Sequence, residues 1–444
     1  MSQGFVFRDD SVQRSVWTST YSGKRSFLDN PLPRERRSTM SKDLNDVAPS
    51  LGEVNTLYVA LEVSGTSWVV GIGDPEQRDK VGMHKLAPAD TEGLLEKIGR
   101  ARAGADGPSR VLLTYEAGYE GFWLVRWLGE HAPEIDVVIC DPASLEVVRR
   151  KRRAKTDRID ARKMVRALRA WDGGDRGAMS PVRIPTIEEE DAKRLLRRRE
   201  RLIKERRRLA NSIAGLLRLH GVSLGDPAGK RFRARLDGLE TRYGTELQPQ
   251  LLAEIHGILD RLELVVAELK TVEAEKAAAL KASQEALDGL PGHDGETEAA
   301  GTSDPAPDRA HFAAALVRLR GIGANDALVL DTERFYRDFD NRRQLASLAG
   351  LAPVPFASGG IDNDQGISKA GNPMLRKHLV QMAWRWLFFQ PNSALSKWFR
   401  EYVSARDGRA RKRGIVALAR KLLVALWRYV TSGLVPEGAI LSRA

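Results

Sequence analysis

The sequence is almost free of cysteine and contains no long apolar run. Cys140 is the only cysteine among its 444 residues, which excludes an internal disulfide and a cysteine-rich zinc site and fits a reducing compartment. No apolar run reaches the roughly 18 residues that a membrane helix needs. The first residues lack the apolar core of a secretion signal. These absences predict a cytoplasmic protein without a membrane anchor.

Acidic residues are outnumbered by basic ones. The chain has 71 Lys and Arg against 59 Asp and Glu, a formal net charge of +12 and a pI of about 9.8. An excess of this size suggests a polyanionic partner, of which nucleic acid is the commonest. Hydrophobic residues make up 42%, enough for real cores, and the length predicts more than one domain.

The stretch at 149–162, RRKRRAKTDRIDAR, places two carboxylates inside a run of cations. Asp157 and Asp160 are three residues apart and share one face if the stretch is helical. Two like charges this close call for a cation between them, and Mg²⁺ with its shell of carboxylate and phosphate oxygens meets that need. A solvated helix with mixed charges is the alternative. The cations expected to hold a polyanion against the metal are Arg149, Arg150, Lys151, Arg152, Arg153 and Lys155.

Residues 53–172 carry the pattern of an α/β domain, after a polar segment (1–52) that we expect to be a disordered arm. Two apolar runs separated by a Ser-Gly-Thr turn predict a β-hairpin, and further strands alternate with helices. This order predicts a three-layer α/β domain. The predicted strands are 57–63, 68–72, 111–114 and 137–140, and the predicted helices are 89–102 and 119–128.

Two further acids fall on these predicted strands. Glu62 lies in the first strand, and Glu116 lies at the carboxyl end of a later one. Strand ends and helix termini converge at ligand sites in open α/β sheets, so these acids can join Asp157 and Asp160. Four carboxylates can hold two divalent ions for phosphodiester chemistry. The alternatives are a paired edge-strand acid for Glu62 and a surface loop acid for Glu116.

The region 187–288 predicts two long helices, after a linker at 172–186. The first is densely basic and carries leucines at seven-residue steps from Leu195 to Leu216, so that Arg197 and Arg198 are candidates for nucleic-acid binding. The second repeats apolar residues in strict steps of four and three from Leu251 to Val272, which predicts a coiled coil. That coiled coil can pair within the chain or with another protomer, as a dimer or tetramer. Residues 289–310 are rich in Gly, Pro, Asp and Glu and predict a disordered linker.

The last unit, 311–432, reads as mainly helical and is followed by a short tail at 433–444. Its predicted helices include 335–351, 375–389 and 415–430, and its Gly321–Gly323 turn can present N–H groups to a phosphate or simply join two helices. A predicted long loop at 352–372 holds Ser358 before two glycines, which can leave the hydroxyl exposed. Cations that can stabilise phosphate charge and help activate it follow at Lys369, Arg376, Lys377 and His378. A Gly-Ser turn with a solvated hydroxyl is the alternative.

The order of these motifs resembles a known family. YVALEV, EAGY and KTDRIDA are followed by a helical hairpin, then by GIGANDA, LAGLAP, the SGG serine and GISKAGNPMLRKHL. Over about residues 55–432 this order resembles the DEDD transposases of the insertion-sequence one-ten family, also called bridge-RNA-guided recombinases. KTDRIDA together with SGG and SKAGNPxLR carries most of the resemblance.

The resemblance implies an N-terminal RuvC-like domain with the RNase H fold, a coiled-coil connector and a C-terminal transposase domain. It implies that Glu62, Glu116, Asp157 and Asp160 hold Mg²⁺ and that Ser358 is the nucleophile. It also implies a nucleoid-associated bacterial enzyme that acts on donor and target DNA, guided by a noncoding RNA from its own element. Members work as oligomers in which the acids of one protomer meet the serine of another.

One position departs from the family. The first acid is usually Asp, whereas this chain has Glu62, followed by Val63, Ser64 and Gly65. Glutamate still ligates Mg²⁺, but its extra CH₂ displaces the carboxylate, and metal sites tolerate displacement poorly. Two other functions therefore stay open: a metal-dependent junction-resolving nuclease without a covalent step, and an inactive transposase that only binds nucleic acid. The sequence also leaves open whether Met1 or Met40 is the start.

Overall fold

A computed structural model describes residues 47–50, 55–73, 80–103, 110–118, 121–141, 144, 156–289, 311–335, 339, 342–358, 361–369, 371–405 and 410–442. Three of the expectations fall outside these residues. They are the N-terminal arm up to residue 46, the linker at 290–310 and the run of cations at 149–155.

The N-terminal region is built on a five-stranded mixed sheet. Its strands are β1 (Thr56–Val63), β2 (Trp68–Gly73), β3 (Val81–Leu86), β4 (Arg110–Glu116) and β5 (Ile135–Cys140), in the order β3-β2-β1-β4-β5. The first three strands are antiparallel, and β4 and β5 run parallel to β1. The predicted hairpin of β1 and β2 is confirmed, whereas β3 was not predicted. Its sequence, VGMHKL, is only partly buried, because it forms an edge of the sheet and lacks a strong apolar pattern.

Helices cover both faces of this sheet. The helices α1 (Thr91–Ala103) and α2 (Trp123–His131) pack against one face, on which Leu57, Leu61 and Leu113 are fully buried. The helix α3 (Asp157–Asp172) covers the other face through Met164, Val165 and Leu168, which recur at helical spacing. Alternate residues of each strand therefore enter separate cores, and the predicted α/β class is confirmed for this region.

The last residue of α3 fastens the helix to the amino ends of β1 and β4. Asp172 is fully buried and accepts hydrogen bonds from the backbone N–H and hydroxyl of Ser50, at 2.8 and 2.6 Å, and from the Tyr58 hydroxyl at 2.9 Å. The Arg110 guanidinium lies 2.9 Å from the same carboxylate and also contacts Asp136. This cluster fixes how far α3 extends across the sheet, and thereby where its first turn lies.

Two long helices form the middle of the chain. The basic helix α4 (Ile187–Leu219) starts at a capping box of Thr186 and Glu189, and α6 (Pro249–Asp288) runs back alongside it, after the short helix α5 (Phe232–Leu236). Their apolar seams meet in one core inside the chain. Of the two pairings that the sequence left open, the structure has the one within the chain.

The C-terminal part is mostly helical. Its helices are α7 (Phe312–Val317), α8 (Ala324–Leu330), α9 (Arg342–Leu348), α10 (Pro373–Phe389), α11 (Ala394–Ser404) and α12 (Ala410–Ser432), with a π-helical turn at Asp331–Phe335. The expected loop at 352–372 is instead largely a hairpin of β6 (Pro353–Ser358) and β7 (Ile361–Ile367). Of the expected helix at 335–351, the described residues contain α9. Residues of the expected tail pack back on the helices, since Leu441 bridges to Leu319 and the Gln390 amide donates to the Ile440 carbonyl.

Within the described residues, no helix has both the length and the apolar character required to cross a bilayer.

Candidate active site

The structure brings Glu62 and Glu116 to the same corner of the sheet. Leu61 of β1 pairs with Tyr115 of β4 in a parallel ladder, so the next residues, Glu62 and Glu116, are neighbours at the carboxyl ends of these strands. Both belong to the alternation that faces α3. The neighbouring Cys140 shows the closeness of the Glu116 charge, because burial first and that carboxylate second raise the pKa of the Cys140 thiol to about 12.

The helix α3 brings its two aspartates to the same corner. It runs antiparallel to β1: Val165 contacts Gly71 and Gly73 of β2, and Arg169 stacks over Tyr58 near the start of β1. A Cβ at Gly73 would lie 3.1 Å from Val165 and 2.9 Å from Arg169, so glycine permits this close approach. The first turn of α3, which carries Asp157 and Asp160, therefore lies over the strand ends.

The two aspartates differ in their surroundings. Thr156 caps the helix by accepting from the Ile159 N–H, at 3.3 Å, and acids in a first turn are favoured by the helix dipole. Asp157 is exposed. Asp160 is 17% exposed; its Oδ1 lies 3.2 Å from Lys163 Nζ, whereas its Oδ2 is buried and has no hydrogen-bond partner. An orphaned carboxylate oxygen is costly and calls for a cation or a donor.

The donor set at this corner suits a hard divalent cation. Carboxylate oxygens are the ligands that Mg²⁺ prefers, and Asp160 Oδ2 has an unused lone pair. As the side chains lie, however, the described residues contain no group of three or more His, Cys, Asp or Glu close enough together to hold one metal. The residues fit such an ion in type and in position on the sheet, and binding would require their side chains to turn toward each other.

Ser358 lies in a separate part of the chain. It is the last residue of β6, and its backbone pairs with Ile361 across the two glycines that join the strands. A two-residue connection between antiparallel strands typically uses glycine, because its turns need positive φ angles. Apart from each other, these strands make no extensive contact with another element of the described chain. The elements that carry the four acids therefore meet at one side of the sheet, although no three of these side chains are close enough to share a metal, and the serine lies at a hairpin end elsewhere.

Comparison with known proteins identifies the family. A model described as "Transposase IS116/IS110/IS902 family" matches residues 313–404, and a DEDD model described as "Transposase" matches residues 62–221. The transposase-family protein y4rJ of Sinorhizobium fredii is 44% identical over 396 residues, which is 88% of this chain and 95% of that protein. The transposase for insertion sequence element IS1111A of Coxiella burnetii is 28% identical over 281 residues, 62% of this chain and 67% of that protein.

The chain belongs to the IS116/IS110/IS902 family of transposases. The resemblance drawn from the motifs is thus confirmed, and the transposase is an enzyme that acts on DNA. The match of the DEDD model begins at Glu62, the position that departs from the usual aspartate.

The motif after the serine hairpin has a structural role in this transposase. A Cβ at Gly371, which has a φ of 113°, would lie 2.3 Å from the Leu348 carbonyl oxygen, so only glycine fits there. Asn372 then caps α10 by accepting from the N–H groups of Met374 and Leu375, and Pro373 occupies the first helical position. This sequence of Gly, Asn and Pro anchors the base of the hairpin on α9 and starts α10.

Most of the described cations proposed for nucleic acid contact groups within the transposase itself. Arg197 makes a bidentate pair with Glu333, Arg198 contacts Glu268, and Lys377 lies 2.6 Å from Glu200. Arg376 donates to backbone carbonyls, and Lys369 is exposed at the base of the hairpin. Nucleic-acid binding by these residues stays a prediction.

A buried polar cluster in the C-terminal part was not predicted. Asp326 of α8 is 3% exposed; its Oδ1 lies 2.7 Å from His378 Nδ1, and its Oδ2 accepts from Arg385. His378 is thus buried against Asp326 rather than exposed beside the serine. Glu333, which joins Arg197 to the Nδ2 of Asn372 at 2.8 Å, was also missed. The paired residues are far apart in sequence and form no local pattern, so no signal pointed to these contacts, although His378 itself was expected near the serine.

Proposed function

We propose that this transposase cuts and rejoins DNA strands through a phosphoserine intermediate at Ser358, assisted by Mg²⁺ held at Glu62, Glu116, Asp157 and Asp160. The N-terminal α/β region is then a RuvC-like domain with the RNase H fold. A noncoding RNA from the element guides the enzyme to donor and target DNA, as the family resemblance implies. The enzyme works as a homo-oligomer in which acids and serine come from different protomers.

The observation that carries this proposal is the acidic corner, by which we mean Glu62 and Glu116 at the strand ends and Asp157 and Asp160 at the start of α3. Two neighbouring strand ends and the first turn of a helix supply four carboxylates on one face of the sheet. The buried, unpartnered Oδ2 of Asp160 is the sign that this corner is built for a cation that the chain does not supply. Lys163 satisfies only the other oxygen.

The acids and the serine have separate roles. A bound divalent ion would withdraw electron density from the phosphate and stabilise charge on the leaving oxygen. The four carboxylates would hold such an ion at the carboxyl end of the sheet, beside the DNA backbone. Cations near the corner hold the polyanion in place.

The serine supplies the covalent step. Ser358 Oγ forms a bond to phosphorus, the bond from phosphorus to a deoxyribose oxygen breaks, the serine proton passes to a base, and the leaving oxygen gains a proton. Attack by another DNA hydroxyl on the phosphoserine reverses the exchange and rejoins a strand. One phosphodiester bond replaces another at each stage, so no external energy source is needed.

The test is a covalent adduct between protein and DNA. We expect the transposase, mixed with Mg²⁺, the element's end DNA and its flanking RNA, to give a DNA-linked band in denaturing gels. The Ser358→Ala variant should give none. Ser368→Ala is the matched control, since Ser368 is an exposed serine at the base of the same hairpin, and it should keep the adduct.

The same assay separates the rival functions. Adducts that persist in Ser358→Ala would show that the serine assignment is wrong. DNA cleavage that survives Ser358→Ala and disappears in Asp157→Asn would establish a metal-dependent nuclease without a covalent step. A complete lack of cleavage and joining in the unaltered protein would favour an inactive, binding-only transposase.

A further inference from the structure

The last three helices carry an extreme charge imbalance. Together α10, α11 and α12 contain eleven Lys and Arg and a single acid, Glu401. Some of these cations are used within the chain: Lys377 and Arg385 pair with acids, and Arg376 and Arg400 donate to carbonyls. The helix α12 alone has six cations and no acid. A surface of this kind repels itself unless a polyanion covers it.

The solvent-facing side of α12 arranges these cations in a row. Arg420, Lys421 and Arg428 fall within about 100° of one another around the helix axis, opposite the side on which Leu418, Leu422 and Leu426 are fully buried. Lys421 and Arg428 are exposed and Arg420 is half-buried. None of the three has an acidic partner among the described residues. From Arg420 to Arg428 the row is about 12 Å long.

Two tryptophans hold cations of α12 in place, one of them Lys421 of this row. Lys421 Nζ lies 4.6 Å from the ring centre of Trp398 on α11, and the Arg411 guanidinium lies 5.2 Å from that of Trp384 on α10. Such contacts restrict a long, mobile side chain without neutralising its charge. They also occupy ring faces on which an unpaired base could stack.

We propose that the row of α12, formed by Arg420, Lys421 and Arg428, binds the sugar-phosphate backbone of double-stranded DNA without reading its sequence. A row of about 12 Å spans roughly three to four base pairs at a rise of about 3.4 Å. The occupied tryptophan faces favour duplex backbone over stacked single strands. Exposed Lys and Arg with no acidic partner position DNA and carry no sequence information.

This surface belongs to the DNA-acting enzyme of the proposed function but does not depend on its chemistry. Binding can therefore be measured in the Ser358→Ala background with EDTA, where neither strand transfer nor the metal contributes. A failure of the adduct assay leaves this measurement valid, and the reverse also holds.

The experiment measures fluorescence anisotropy of a labelled 30-base-pair duplex over a range of salt concentrations. The triple variant R420Q/K421Q/R428Q should bind roughly ten- to a hundred-fold more weakly near 0.1 M salt. Its slope of log affinity against log salt should be shallower by about one for each cation removed. The loss should be the same for two unrelated duplex sequences.

The matched control removes the same charge elsewhere. Lys230, Arg231 and Arg235 are exposed at the far turn between α4 and α6, near Asp226, Asp237 and Glu240, and K230Q/R231Q/R235Q should change affinity less than three-fold. Both triple variants should melt within a few degrees of the parent. Equal losses in the two variants, or a loss confined to single-stranded DNA, would overturn the proposal. A parent that prefers the single strand would overturn it as well.

Discussion

At the scale of single residues, the buried Oδ2 of Asp160 is expected to lower the stability of the metal-free protein and to bind the proposed cation. Its buried oxygen without a donor costs on the order of 1–3 kcal/mol, and native proteins retain such groups mainly at functional sites. Lys163 compensates little, because it is partly exposed and pairs with the other oxygen.

We expect Asp160→Asn to leave the metal-free transposase as stable as the parent, or about 1 kcal/mol more stable, because the buried charge is gone. The same change should abolish the rise in melting temperature that millimolar Mg²⁺ produces in the parent. Melting curves with and without Mg²⁺ measure both effects. Glu92→Gln is the control, since Glu92 is an acid in the first turn of α1, away from the corner. An unchanged Mg²⁺ response in Asp160→Asn would remove this residue from the proposed site.

Asp172 is also a buried acid, but both of its carboxylate oxygens have hydrogen-bond partners. Burial alone would raise the pKa of its carboxyl, but hydrogen bonds from Ser50 and Tyr58 and the charge of Arg110 outweigh burial and lower it below 3.8. The ionised carboxylate of Asp172 therefore stabilises the folded state. This stabilisation is fully present at pH values above 3.8 and is lost as the pH falls through the lowered pKa.

Asp172→Asn should cost roughly 3–5 kcal/mol at pH 7, because it leaves Arg110 without its buried partner. The difference from the parent should narrow once the pH falls below 3.8 and the parent carboxyl takes up a proton. Melting temperatures at pH 7 and under acid conditions test this. Asp136→Asn removes the more exposed partner of the same arginine and should cost less. A loss of stability in Asp172→Asn that is the same at every pH would contradict an ionised Asp172 in the folded protein.

At the scale of elements, the seven-residue repeat of α6 is used inside the chain. The buried residues of its seam, among them Ile255, Leu262 and Val272, meet the leucines of α4 in one core. The repeat alone did not show whether α6 pairs with a helix of its own chain or of another protomer, because a heptad specifies an apolar stripe and not the helix that packs on it. The stripe is thus no argument for a dimer.

Leu262 and Leu264 provide a matched test of this seam. Leu262 is fully buried and Leu264 is 71% exposed on the same helix. Leu262→Ala should cost roughly 2–5 kcal/mol, whereas Leu264→Ala should stay within about 0.5 kcal/mol. Thermal melting followed by circular dichroism, at protein concentrations that differ a hundred-fold, measures both. A melting temperature whose dependence on protein concentration is weakened by Leu262→Ala and not by Leu264→Ala would show that the seam lies between protomers instead.

The elements that could be predicted from the sequence are those in which apolar residues recur at a regular spacing. The strands β1 and β2, the helices around them and both long helices have clear spacing, whereas β3 is a polar edge strand. The β6–β7 hairpin has the sequence pattern of a loop, because Pro353, Pro355 and the two glycines suggest turns. Proline is nevertheless tolerated at the start of a strand and at an irregularity such as the register shift between Pro353 and Pro355. The positions of Glu62 and Glu116 at neighbouring strand ends were predictable, since the carboxyl ends of parallel strands meet by topology, whereas the metal site itself stays a prediction. Asp326, Glu333 and Asp172 were not predictable, since their partners lie 39 to 136 residues away.

At the scale of the whole molecule, the acids and the serine lie in units with separate cores, joined by α4. That helix connects the two physically, since Arg126 near the sheet contacts Glu190 at its start, and Glu333 in the C-terminal part contacts Arg197 about two turns further on. The serine hairpin, by contrast, is not packed on the sheet in the described chain. A catalytic site shared between protomers follows from this separation if the connection by α4 is rigid.

A mixing experiment tests whether the site is shared. Asp157→Asn and Ser358→Ala should each be inactive alone. In an equal mixture that exchanges subunits, half of the dimers are mixed, and each mixed dimer rebuilds one intact site from the acids of one protomer and the serine of the other. Strand-joining activity should then recover to about a quarter of the parent value. If acids and serine act within one protomer, no mixed dimer contains an intact site, and activity stays at background. An equal mixture of Asp157→Asn with Asp160→Asn controls for mixing itself, because no pairing of these two variants restores the acids.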